Sequence, residues 1–76
     1  MGTKRDPGGY DCYASAEPDE PLFVLLARDP LAPELVKLWA LMRGKEADAD
    51  DAKIREALDC AATMIAWRTI HRPEIG

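Results

Sequence analysis

The stretch Ala52-Lys-Ile-Arg-Glu-Ala-Leu-Asp-Cys-Ala-Ala-Thr-Met-Ile-Ala-Trp-Arg-Thr-Ile70 decides how this chain folds. Ile54, Ala57, Leu58, Ala61, Met64, Ile65 and Arg68 recur at spacings of three and four, the signature of one helix face. Asp50 and Asp51 precede it and Arg68, His71 and Arg72 close it, matching an acidic start and a basic end to the helix macrodipole. The reading is a helix of about five turns, stopped by Pro73.

Working towards the N-terminus, Pro33 opens a second helical pattern, with Leu35, Leu38, Trp39 and Met42 on one face and Val36 and Leu41 widening it. Arg43-Gly44-Lys45 is expected to end this helix, with basic groups against the negative dipole end and a glycine suited to a left-handed stop. Two antiparallel helices joined by a short loop make a helical hairpin. The alanines at 57, 61, 62 and 66 allow another helix to approach closely. Cys60, Ala62, Ile65 and Trp67 carry the apolar surface of the long helix round more than one side, so a single partner helix leaves part of it uncovered.

Asp29-Pro30-Leu31-Ala32-Pro33 is punctuation, with Asp29 or a backbone turn as cap. Before it lies the run Leu22 to Ala27, the longest unbroken apolar stretch. A helix opening at Glu17 to Pro21 with Asp19 as cap, or a strand through Phe23 to Leu26 needing a strand from another subunit, both fit it. Helix is the favoured reading. Residues 1–16, with Pro7, Gly8 and Gly9 and no apolar period, read as a flexible arm; Tyr10 and Tyr13 within it are able to dock on the body or on a neighbouring subunit. The expected organisation is therefore an arm over 1–16, one mainly α domain over 17–72, a helical hairpin with a short preceding helix or strand, and a tail over 73–76.

Size and charge then narrow the function. A chain of 76 residues buries only about 60% of its unfolded surface, and such small cores lean on disulfides, metals or partner subunits. Cys12 and Cys60 lack metal-ligand spacing, and no apolar signal-like run precedes them. Free thiols in the cytosol, no cofactor, and self-association are the expectation. Six apolar residues in a row fall far short of the roughly 20 that span a bilayer. The net charge of -4 speaks against duplex DNA binding, which depends on neutralising phosphates. A helix-turn-helix reading also fails, because Asp50 and Asp51 occupy the turn that would approach bases. From Cys60 to Arg72, however, no acid occurs, which leaves room for a local cationic surface.

Catalytic constellations are sparse. Ser15 is the only serine and His71 the only histidine, so a nucleophile with an oriented base is not expected. Asp48, Asp50 and Asp51 lack the glycine and distal glutamate of a calcium loop; N-capping with dipole stabilisation is the reading for all three. Trp39 and Trp67, on helices expected to face one another, read first as core or interface packing and second as a pair of indoles that form a candidate aromatic ligand site. Arg28, Lys37, Arg68 and Arg72 could supply phosphate contacts beside them.

The block EPLFVLLARDPLAPELVKLWA, followed by EALDCAATMIAW, resembles small proteins encoded in bacteriophages and prophages that share the pattern E-P-x-F-x-L-x-A-x-D-x-L-A-P-x-x-V-x-x-W-A and then E-A-x-x-x-A-x-x-M-x-x-W. The matching positions run from Glu20 to Trp67. The resemblance implies a phage origin more than a mechanism. Such an origin suggests three roles: an oligomeric anti-defence sponge sequestering a nucleotide-type signal, an inhibitor of a host defence protein of anti-CRISPR type, or a structural accessory. For the sponge, pockets lined by Tyr10, Tyr13, Arg28, Trp39, Trp67 and Arg68 are the expected sites.

Overall fold

The computed structural model describes residues 1–73; the last three residues of the expected tail lie outside the described residues. The protein is mainly α-helical, with α1 spanning Cys12–Ser15, α2 Ala32–Arg43 and α3 Asp51–His71, and with no strand among the described residues. No helix among them is long and apolar enough to cross a membrane.

Helix α3 begins where a short polar side chain satisfies its free amides, and α2 begins where a backbone carbonyl does. The Asp50 carboxylate accepts the N–H groups of Ala52 at 3.1 Å and Lys53 at 3.2 Å, while Asp51 sits in the first turn. At α2 the Asp29 side chain accepts the Leu31 N–H at 2.9 Å and its carbonyl accepts the Ala32 N–H at 3.0 Å. Pro33, in the first turn, gives up no hydrogen bond there.

Three local expectations are corrected. Gly44 ends α2 with φ -65°, in the right-handed region, rather than with a left-handed stop. The chain then leaves through successive tight turns, Lys45 N–H to Met42 O and Glu46 N–H to Arg43 O, which satisfy the terminal carbonyls without a positive φ. Asp48 does not cap α3: both its oxygens accept from the Arg43 guanidinium, at 3.0 and 3.1 Å, pinning the loop between the helices. The fork holds the Asp48 carboxyl below its usual range.

Residues 20–26 form neither the helix nor the strand considered for the apolar run, and Asp19 caps nothing: Pro18 and Asp19 form a turn instead. Glu17 and Glu20 each precede a proline, which disfavours the α region at both, and the run Leu22 to Leu26 has no polar position to single out a face. A turn closes it, with the Asp29 N–H on the Leu26 carbonyl at 2.9 Å.

Helices α2 and α3 run antiparallel. The Arg68 guanidinium near the end of α3 reaches the Asp29 carbonyl before α2 at 3.4 Å, and Gly44 after α2 lies near Ile54 at the start of α3. The contact between them is made of small residues: Ala32 and Ala40 from α2, Ala57 and Ala61 from α3, with Pro33 also fully buried. Side chains that stop at Cβ let the two backbones approach closely, and Val36, Ile54 and Met64 flank them half-buried.

The face of α2 expected to form the core lies outside. Leu31, Leu35, Leu38, Trp39 and Met42 keep between 39% and 60% of their surface accessible. The reason is geometric: a helix with an alanine stripe and a leucine stripe more than 100° apart presents only one of them to a single partner, and α3 meets the alanines.

Candidate functional site

A cleft of about 540 Å³ opens along the flank of α3, beside the face that meets α2. Its floor is a stripe of α3, Glu56, Cys60, Thr63 and Trp67, spaced three and four apart so that all project the same way. One wall is the irregular segment Leu25 to Arg28; the other is the start of the arm, Met1 to Lys4. Arg72, just past the helix end, lies at the rim. The volume falls within the roughly 300–1,000 Å³ typical of small-molecule sites.

Residues 1–10, read from sequence as a flexible arm, fold back onto α3 here. The Glu56 carboxylate accepts the Gly9 N–H at 2.6 Å and the Tyr10 N–H at 3.0 Å, and the Met1 ammonium lies 3.2 Å from it. That ammonium also donates to the carbonyls of Pro7 and Tyr10. The Gly9 amide is the chief cause that holds the Glu56 carboxyl below its ordinary range, with the Met1 ammonium and the Tyr10 amide adding to it against some desolvation. Gly8 adopts φ +78°, and a Cβ there would lie 2.7 Å from Glu56 Oε1 and closer still to the Met1 carbonyl, so only glycine fits this turn.

The aromatic centre of the cleft is Trp67. His71 stacks on it at 4.6 Å between ring centroids with 21° between planes, and the Arg72 guanidinium stands 5.8 Å from the ring. His71 Nδ1 lies 3.0 Å from the Trp67 carbonyl, so the ring serves the end of α3. Lys4, Arg28 and Arg72 bring positive charge to the walls and rim; Glu56 and Asp59 bring negative charge, of which Glu56 is engaged by the arm.

Of the six residues expected to bind a ligand, the structure brings Arg28 and Trp67 together in this cleft. Arg68 is half-buried beside it, donating to the Asp29 carbonyl, with its Nε buried and unpartnered. Tyr10 lines a separate, shallower depression with α1 and Lys53. Its hydroxyl donates to Asp50 at 3.2 Å, and desolvation together with the Asp50 charge raises its pKa. Tyr13, on α1, is 78% exposed, and Trp39 lies on the outer face of α2; neither lines the cleft. The facing pair of indoles is not formed among the described residues, since the ring stacked on Trp67 is His71. Helix α3 presents Trp67 to the cleft, while α2 turns Trp39 outward along its leucine stripe.

Sequence reasoning missed Lys4, Glu56, Cys60 and Thr63. The last three share a face with Trp67, a period visible in the chain but masked by the apolar face on the other side. Lys4 had no such signal. Ser15 donates to the Cys12 carbonyl at 3.3 Å, within α1. Comparison with known protein families, with curated proteins and with solved structures finds no match to this chain.

Proposed function

We propose that this chain is a non-catalytic binding protein of phage origin that works as an oligomer and sequesters a nucleotide-type, anionic small molecule. The observation that carries the reading is the joining, in one cleft of about 540 Å³, of the Trp67 indole with Arg28, Arg72 and Lys4. An indole offers a stacking surface for a planar base, and guanidinium groups match phosphate oxygens through paired hydrogen bonds. A cytoplasmic anti-defence sponge for a nucleotide immune signal is the role that fits both this chemistry and the resemblance to phage proteins.

Calorimetric titration with cyclic di- and trinucleotides and ADP-ribose-type compounds tests it. Binding is expected, with Arg28→Ala and Arg72→Ala each weakening it by roughly 10- to 100-fold, the equivalent of losing a charge-assisted hydrogen bond worth about 1.5–3 kcal/mol. Silence across the panel removes this reading.

A second reading, direct inhibition of a host defence protein, is favoured by one observation. Phe23 is 86% exposed, with Leu22 and Val24 exposed beside it, and aromatic and aliphatic side chains held open in this way are what protein partners use as anchors. Retention of a defence protein on the immobilised chain, lost in Phe23→Ala, would support it in place of the sponge.

A further inference from the structure

We infer that the base held in the cleft is guanine, recognised by the Asp59 carboxylate of α3. The inference rests on the nucleotide-sequestering part of the proposed function and names the base which that site selects. Two acidic side chains, Glu56 and Asp59, line the cleft. The oxygens of Glu56 are taken by the Gly9 and Tyr10 amides and the Met1 ammonium. Of Asp59, only the main-chain carbonyl is engaged, by Thr63 Oγ1 at 2.9 Å; its carboxylate has no partner among the described residues and lies exposed.

Arg28, Arg72 and Lys4, at the walls and rim, make no ion pair among the described residues either. Three cations and a carboxylate therefore share one space without neutralising one another. A ligand that is anionic throughout is drawn by the cations and opposed by Asp59. A ligand that satisfies both carries phosphate at one end and hydrogen-bond donors at the other, because an ionised carboxylate only accepts.

Among the common bases that description selects one. Guanine sets its N1–H and its 2-amino group side by side on one edge, two parallel donors matched to the two oxygens of one carboxylate. Adenine and cytosine each set one amino group beside a ring nitrogen that accepts, and uracil sets its N–H between two carbonyls. With any of these three, a carboxylate oxygen faces a lone pair.

The order of groups along α3 agrees. Asp59, Thr63 and Trp67 are four residues apart and so lie along one side of the helix, about 12 Å from first to last, and Arg72 follows beyond the indole. Helical side chains lean towards the N-terminus, the long indole further than the short carboxylate, which draws the ring towards Asp59. Carboxylate, indole and guanidinium thus follow one another as the donor edge, the ring and the phosphate of a guanine nucleotide do. His71 stacks on one face of the indole without lining the cleft, so the ring has one face to offer and the cleft takes one base.

Calorimetric titration with cyclic di-GMP, cyclic di-AMP and cyclic di-IMP tests this. Cyclic di-GMP is expected to bind roughly 10- to 100-fold tighter than cyclic di-AMP, the discrimination of one bidentate base contact. Cyclic di-IMP, which keeps N1–H but lacks the 2-amino group, is expected between them. Asp59→Asn replaces an acceptor oxygen by a donor and is expected to erase the difference between cyclic di-GMP and cyclic di-AMP; the inosine comparison on the wild-type chain decides the matter if that variant unfolds. Equal binding of cyclic di-GMP and cyclic di-AMP, or a preference for adenine, overturns the guanine assignment and leaves the nucleotide reading standing. A guanine preference that survives Asp59→Asn overturns the role of Asp59. Silence with all three probes overturns the guanine assignment, and silence across the wider panel of the proposed function overturns that reading as well.

Discussion

The Glu56 carboxylate accepts the Gly9 amide at 2.6 Å although 47 positions separate them in the chain. That one side chain also accepts the Tyr10 amide and meets the Met1 ammonium, so a single carboxylate on α3 holds the segment that walls one side of the cleft.

Glu56→Ala is expected to release residues 1–10 while leaving α2 and α3 in place. Hydrogen exchange at the Gly9 and Tyr10 amides should rise at least tenfold with unchanged helical circular dichroism; continued protection of both amides would show that the carboxylate does not hold the arm.

The same contact has a predictable dependence on pH. The Glu56 pKa is lowered in the folded chain, so its contribution is present above the ordinary carboxylate range and is lost as pH falls through the lowered value. Arm protection should hold at near-neutral pH and disappear on strong acidification, as followed by the amide signals of Gly9 and Tyr10 in a pH titration.

Asp50→Ala removes the acceptor for two amides at the start of α3 and for the Tyr10 hydroxyl. Loss of such a cap costs about 1 kcal/mol, which for a domain of this size lowers Tm by roughly 4–8 °C. Asp50→Asn should recover most of the loss, because the amide oxygen still caps.

Ala61→Leu inserts a branched side chain where two backbones meet and Ala61 has no exposed surface. Overpacking of this kind costs about 1–3 kcal/mol, read from urea midpoints. Ala62→Leu, one position round the helix and exposed, should be close to neutral, and equal effects at the two positions would contradict the alanine contact.

Trp39→Ala is expected to destabilise by less than the roughly 3–5 kcal/mol of a fully buried tryptophan. The indole keeps 39% of its surface accessible, so only part of a buried tryptophan's contribution is lost. Melting curves check this.

The positions of α2 and α3 were legible because their signals are local. Caps such as Asp50, the proline at 33 and spacings of three and four act within a turn or two of the residues that carry them. The expected Ala52 to Ile70 differs from the observed α3 by one residue at each end. The choice of contact face was not legible in this way. Hydropathy ranks Leu35, Leu38 and Met42 above Ala32 and Ala40, but the distance between two helix axes is set by how small the intervening side chains are, which hydropathy does not encode.

The cleft was legible in part. Trp67, Arg28 and Arg72 stand out as aromatic and basic groups in a region poor in acids, whereas its arm-side wall is positioned by backbone amides of Gly9 and Tyr10. Backbone amides are common to nearly all residues and leave no mark in a sequence. The sequence pairs Trp39 with Trp67 because their helices face one another, and the rotation of α2 separates the two rings.

Alanine has no side-chain torsion to freeze. Where Ala32 and Ala40 meet Ala57 and Ala61, closing the hairpin therefore restricts the main chain and almost no rotamers; the two rods seat against each other with little motional freedom to surrender, and the bulkier, more mobile groups are left on the outside to adjust to whatever surface they meet.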